Sequence, residues 1–118
     1  MKIPALLTTT LLLLGNLDGA DALNPNHADR NPQPGVPSGQ ITTGTFSDSK
    51  VYPGTRRDYS VYVPAQYSPK QPAALMVFMD GNGYAKKDGA FRVPVIFDNL
   101  IHQKAMPVTV AVFVQPGT

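Results

Sequence analysis

The chain has 118 residues, no cysteine or tryptophan, 12 prolines, 10 glycines and a net charge of +2. That length holds one domain or less, and the missing cysteines exclude a disulfide framework and a thiolate zinc site. An apolar content of 42% with 15% charged residues excludes a disordered polyelectrolyte, a coiled coil and a collagen, and the small scattered charge gives no footprint for nucleic acid.

Residues 1–22 have the layout of a secretory signal peptide. Lys2 supplies the positive start, Ile3 to Leu14 the apolar stretch, and Ala20-Asp21-Ala22 the small-x-small cleavage form. The stretch is well short of the ~20 residues that span a bilayer, so a cleaved leader is expected and no stable membrane anchor. Export without cysteine fits a secreted or periplasmic bacterial protein. Residues 23–39 carry four prolines and no hydrophobic period, which reads as a linker or extended arm. His27 lies within it.

The folded part is expected over 40–118. Gln40 to Phe46 is a first strand, expected to run on past Ser47-Asp48-Ser49 to Tyr52. Pro53-Gly54-Thr55 makes a turn, and Arg57 to Pro64 alternates, with Tyr59, Val61 and Val63 on one face and Ser60 and Tyr62 on the other. The two strands form an antiparallel hairpin. Ala73 to Met79 is apolar on both faces, so both faces are expected to be covered. Asp80-Gly81-Asn82-Gly83 is a sharp break and Lys86-Lys87-Asp88-Gly89 a loop. Pro94 then sits near the first turn of a helix bearing Ile96, Phe97, Leu100 and Ile101. Val108 to Val114 is a second continuous apolar strand. The pattern is the start of an α/β sheet, a hairpin feeding a right-handed βαβ unit.

Ligands of open α/β sheets bind beyond the carboxyl ends of the parallel strands. Here those ends are Asp80-Gly81-Asn82-Gly83-Tyr84 and Gln115-Pro116-Gly117. The paired glycines free backbone N–H groups to face a developing oxyanion, Asp80 is the nearest carboxylate, and Tyr84 is either an aromatic wall or packing on the sheet edge. A plain strand-to-helix turn would look the same. Asp98 and His102, four apart, can meet on one helix face, although a histidine late in a helix reads first as a favourable terminal cation. None of the serines lies in a G-x-S-x-G elbow. No transition-metal site is expected from two separated histidines without cysteine or glutamate, and no cofactor is implied. A pair of catalytic carboxylates is disfavoured, since no second acid accompanies Asp80.

One resemblance runs from about Gly44 to Gly117. Tyr52-Pro53-Gly54-Thr55, Arg57, Tyr59, Val61-Tyr62-Val63-Pro64-Ala65 and Tyr67 lead to Ala74-Leu75-Met76-Val77-Phe78 and Asp80-Gly81. Arg92-Val93-Pro94, Phe97-Asp98-Asn99-Leu100-Ile101 and Met106-Pro107-Val108-Thr109 follow in order. Together they resemble the esterase family of enterochelin esterase-like and esterase D-like α/β-hydrolases, often exported by bacteria. The resemblance implies a serine hydrolase of small-molecule carboxylic esters, with Gly81 or Asn82 lending an oxyanion N–H and Asp80, Gly83 and Tyr84 beside the crevice. It also implies that nucleophile, acid and histidine lie in a part this sequence does not contain. Neither Ser60 nor His102 matches a catalytic position. The expectation is an inactive amino-terminal fragment. Its alternative is a non-catalytic module that holds a carbohydrate or partner on the hairpin and Tyr84.

Overall fold

A computed structural model describes residues 26–117. The leader over 1–22 lies outside the described residues. Four strands, β1 (Gln40–Phe46), β2 (Arg57–Val63), β3 (Ala74–Met79) and β4 (Thr109–Val114), form one sheet in the order β1-β2-β4-β3. β1 and β2 pair antiparallel, β2 pairs antiparallel with β4, and β3 runs parallel to β4. Both the hairpin and the βαβ unit of the sequence reading are present. β1 stops at Phe46 rather than running on to Tyr52, because its partner β2 begins opposite it at Arg57 and leaves 47–56 nothing to pair with.

Two helices, α1 (Gly81–Ala85) and α2 (Val93–His102), separate β3 from β4. The expected break at Gly81-Asn82-Gly83 is therefore a single helical turn. α2 begins with Pro at its N-terminal turn, where the missing N–H costs nothing, and lays Val93, Phe97 and Ile101 on Tyr62, Ala111 and Phe113 of the sheet. Phe78 of β3 stacks on Phe113 with ring centroids 5.2 Å apart, and Tyr62 meets Phe97 edge-on at 6.0 Å. The core thus lies on the Ser60–Tyr62 side of β2, and Tyr59, Val61 and Val63 face the opposite side.

That opposite side corrects one expectation. β3 is an edge strand, and the helices cover only one of its faces; Leu75, Val77 and Met79 are 67%, 54% and 66% exposed. Among the described residues no second layer covers them. The register sets Leu75 beside Val110, Val77 beside Val112 and Met79 beside Val114, so one continuous apolar face results. β4 itself is internal; the open apolar edge belongs to β3, not to Val108–Val114.

The Pro-rich segment is held firmly where it is described. A 3-10 turn at Ala28–Arg30, capped by His27 through a hydrogen bond from the Asp29 amide to Nδ1, sits against α2. Asn99 Nδ2 donates to the carbonyls of Asp29 (2.8 Å) and Asn31 (2.9 Å), and Gln103 Nε2 donates to Asp29 Oδ1 at 2.8 Å. Arg92 Nη1 donates to the Arg30 carbonyl and to Asn31 Oδ1, while Arg30 Nη2 reaches back to the Ala90 carbonyl at 2.6 Å. Composition without a hydrophobic period allows such docking because the arm is held by polar contacts, through its carbonyls and through the side chains of Asp29, Arg30 and Asn31. Asn99→Ala is accordingly expected to speed tryptic cleavage after Arg30 by about tenfold, as two hydrogen bonds holding the arm are lost. Unchanged cleavage would show that the remaining contacts suffice.

Candidate functional site

β3 delivers the chain to Asp80, which adopts the left-handed conformation (φ 60°, ψ 39°) and turns it into α1. Asp and Asn enter this region more readily than other non-glycine residues, and the position stores modest strain at the junction. The Asp80 side chain makes no capping bond and is exposed; its carbonyl accepts from the Gly83 amide at 3.2 Å.

Gly81 is buried against the backbone of β4. A Cβ at this position would stand 2.5 Å from Phe113 Cβ and 2.6 Å from the Phe113 carbonyl carbon. Glycine is required here for close approach and not for a positive φ. The next amide, that of Asn82, donates to Oε1 of Gln115 at 3.1 Å. Gln115 follows β4, so the carboxyl ends of the two parallel strands meet in this one contact. Asp80, Gly81, Asn82 and Gly83 are thus brought together at the crevice end of the sheet. Tyr84 turns away: its ring stacks on Phe91 at 4.5 Å and lies 5.0 Å from Phe78, on the rim of the core.

The Asp98–His102 pair does not form. His102 is exposed at the end of α2, whereas Asp98 is 4% exposed and points inward. Its Oδ1 accepts from Tyr62 Oη at 2.6 Å and from the Gly39 amide at 2.8 Å. Burial, and then the neighbouring Asp98, push the Tyr62 phenol well above its usual range, so it stays protonated and donating. Sequence periodicity missed this network. The signal that could have found it is Asp98-Asn99 set between Phe97 and Ile101, too polar for the single apolar stripe of a surface helix yet adjacent to it.

An open groove of about 520 Å³ adjoins Asn82 and Gln115 and runs along the hairpin past Thr45, Asp58 and Ser60. Among the described residues no group of three His, Asp or other acidic or thiol side chains could hold a metal ion, and no helix is long and apolar enough to cross a membrane.

No family model and no curated protein matches the sequence. Solved structures do. A protein designated FAE aligns with a TM-score of 0.62 and 20% identity over 80% of this chain and 33% of its own. A serine-to-alanine mutant of the feruloyl esterase module from Clostridium thermocellum, complexed with sinapinate, gives 0.56 and 22% over 75% of this chain and 29% of its own. A ferulic acid esterase from the anaerobic fungus Anaeromyces mucronatus gives 0.57 and 22% over 71% and 31%. The chain therefore shares the α/β fold of these structures and spans about a third of their length.

Proposed function

We propose that the chain is the amino-terminal part of an exported serine esterase that cleaves small-molecule carboxylic esters through an acyl-enzyme, and that alone it has no hydrolytic activity. The observation supporting this reading is the fold match, good over most of this chain yet covering only a third of each esterase. In acyl transfer a serine Oγ adds to the ester carbonyl, a histidine takes its proton, and the carbonyl oxygen becomes an oxyanion that needs N–H donors. The backbone amides of Gly81 and Asn82 fit the donor role. The Asn82 amide already donates to a neutral amide oxygen at 3.1 Å, and a charged oxyanion is the stronger acceptor, so exchange of Gln115 Oε1 for the oxyanion favours the transition state. Asp80 and Gly83 are assigned to the same crevice, whereas the Tyr84 ring is packed on Phe91 and Phe78. The neighbours bound to sinapinate and ferulic acid make hydroxycinnamoyl esters the first substrates to try on the intact protein.

Assay of the 118-residue chain with p-nitrophenyl acetate is expected to show no fluorophosphonate-sensitive turnover, and serine-dependent turnover would refute the fragment reading. Sequencing beyond Thr118 is expected to find a G-x-S-x-G within roughly a hundred residues and a later histidine. A stop codon directly after Thr118 would sink the proposal.

Incompleteness has a physical correlate. The uncovered face of Leu75, Val77, Met79 and their β4 neighbours is an exposed apolar patch on an open strand edge. The isolated chain is expected to self-associate at micromolar concentration by light scattering, and Val77→Lys to shift it toward monomer. A wild-type chain that is monomeric and melts cooperatively would instead mark a self-sufficient module.

A further inference from the structure

We propose that the groove between the β1–β2 hairpin and α1 is a binding site for a neutral glycan. It opens beside Asn82 and Gln115, at the carboxyl ends of the parallel strands, where ligands of open α/β sheets bind. Its volume of about 520 Å³ is in the range of ligand sites, but its lining differs from the apolar lining usual for them. The hydroxyls of Thr43, Thr45 and Ser60 both donate and accept, the amide side chains of Asn82 and Gln115 do the same, and the Asp58 carboxylate accepts. Such a mixture matches adjacent sugar hydroxyls, each of which also donates and accepts; it offers little to an acyl chain.

Charge narrows the class. The one guanidinium, Arg56, and the one carboxylate, Asp58, stand 3.6 Å apart and cancel each other, so neither a polyanion nor a polycation is selected. The rim is also built before any ligand arrives. Thr45 Oγ1 donates to Asp58 Oδ1 at 2.6 Å, Arg56 Nη2 donates to Thr45 Oγ1 at 3.4 Å, and Thr45 is fixed opposite Asp58, as Thr43 is opposite Ser60, by the strand register. A prepaid rim lowers the ordering cost that weakens most glycan binding. The open shape admits a chain that passes through the groove. None of this depends on ester hydrolysis, so the site can be present whether or not the catalytic reading holds.

Native affinity electrophoresis of the 118-residue chain tests the assignment. Gels cast with soluble mixed-linkage β-glucan, arabinoxylan or polygalacturonate are compared with polysaccharide-free gels, which corrects for self-association. Retardation is expected in at least one neutral polysaccharide and not in polygalacturonate. Thr45→Val with Ser60→Ala keeps strand-compatible side chains and is expected to weaken binding about tenfold, two hydrogen bonds being removed. Arg56→Ala lies outside the ladder, gives a second variant if the first misfolds, and is expected to weaken binding in the same direction. Absence of retardation in every gel, retardation by polygalacturonate alone, or full binding by the folded variants would overturn the proposal.

Discussion

Gly81→Ala is expected to destabilise the chain by about 3 kcal/mol or more, which for 92 described residues is a large part of a stability on the order of 5–14 kcal/mol. The new Cβ would lie 2.5 Å from Phe113 Cβ, 2.6 Å from its carbonyl carbon and 2.8 Å from its Cα. Two of these are backbone atoms of β4, the strand paired on both sides by β2 and β3, so the neighbour cannot yield and α1 must move away. Gly83→Ala is the internal control. A Cβ there would meet only ring carbons of Phe91, at 3.9 and 4.0 Å, and inside a helical turn alanine gains up to about 1 kcal/mol over glycine. Opposite signs at two glycines two residues apart, read by urea unfolding, would establish that close approach to β4 is the reason for Gly81. Equal effects would assign both to backbone entropy. In an intact enzyme Gly81→Ala should also lower kcat more than Gly83→Ala, because displacing α1 carries the Asn82 amide away from Gln115 and from any oxyanion.

Period-2 and continuous apolar runs made the four strands, the β1–β2 hairpin and the β3–β4 unit legible, but not the β2–β4 pairing that joins them, because each strand reports its own faces and not its neighbours. The helix was legible too, from Pro94 and the Phe97–Ile101 spacing. Coverage was not. Ala73–Met79 is apolar on both faces whether or not a second layer is present, so its sequence says what the strand requires and not what surrounds it. The arm shows the converse. Residues 26–39 have no hydrophobic signature because their fixed points are carbonyls and polar side chains, held by Arg92, Asn99 and Gln103 on and beside α2. At the candidate site, Asp80-Gly81-Asn82-Gly83 was found from its glycines and its place after an apolar strand. The Asn82–Gln115 contact joins residues 33 apart and could come only from the parallel register of β3 and β4.

The second large effect is expected at Asp98, which sits at the junction of arm, sheet and helix. Asp98→Ala removes the shared acceptor of Tyr62 Oη and the Gly39 amide, leaving two buried donors without a partner. At about 1–3 kcal/mol for each orphaned group, a loss of about 2–6 kcal/mol is expected. Asp98→Asn keeps an acceptor oxygen and should lose about 1 kcal/mol. Tyr62→Phe removes one donor with its acceptor still served by Gly39, so its effect should also be small. The double variant Tyr62→Phe/Asp98→Ala should then be less damaged than the sum of the singles, since only the Gly39 amide remains orphaned. The phenol gives the same network a pH signature. Its folded pKa is raised, so the folded state keeps the proton above pH 10 while the unfolded state loses it. The unfolded chain binds fewer protons there, and stability must fall as pH rises past the ordinary phenol range, whereas below it the contribution is fully present. Tyr62→Phe should abolish that alkaline slope. Wild type and Tyr62→Phe losing stability in parallel from pH 9 to 11, read from urea midpoints, would show that Tyr62 is not held in its protonated form by the fold.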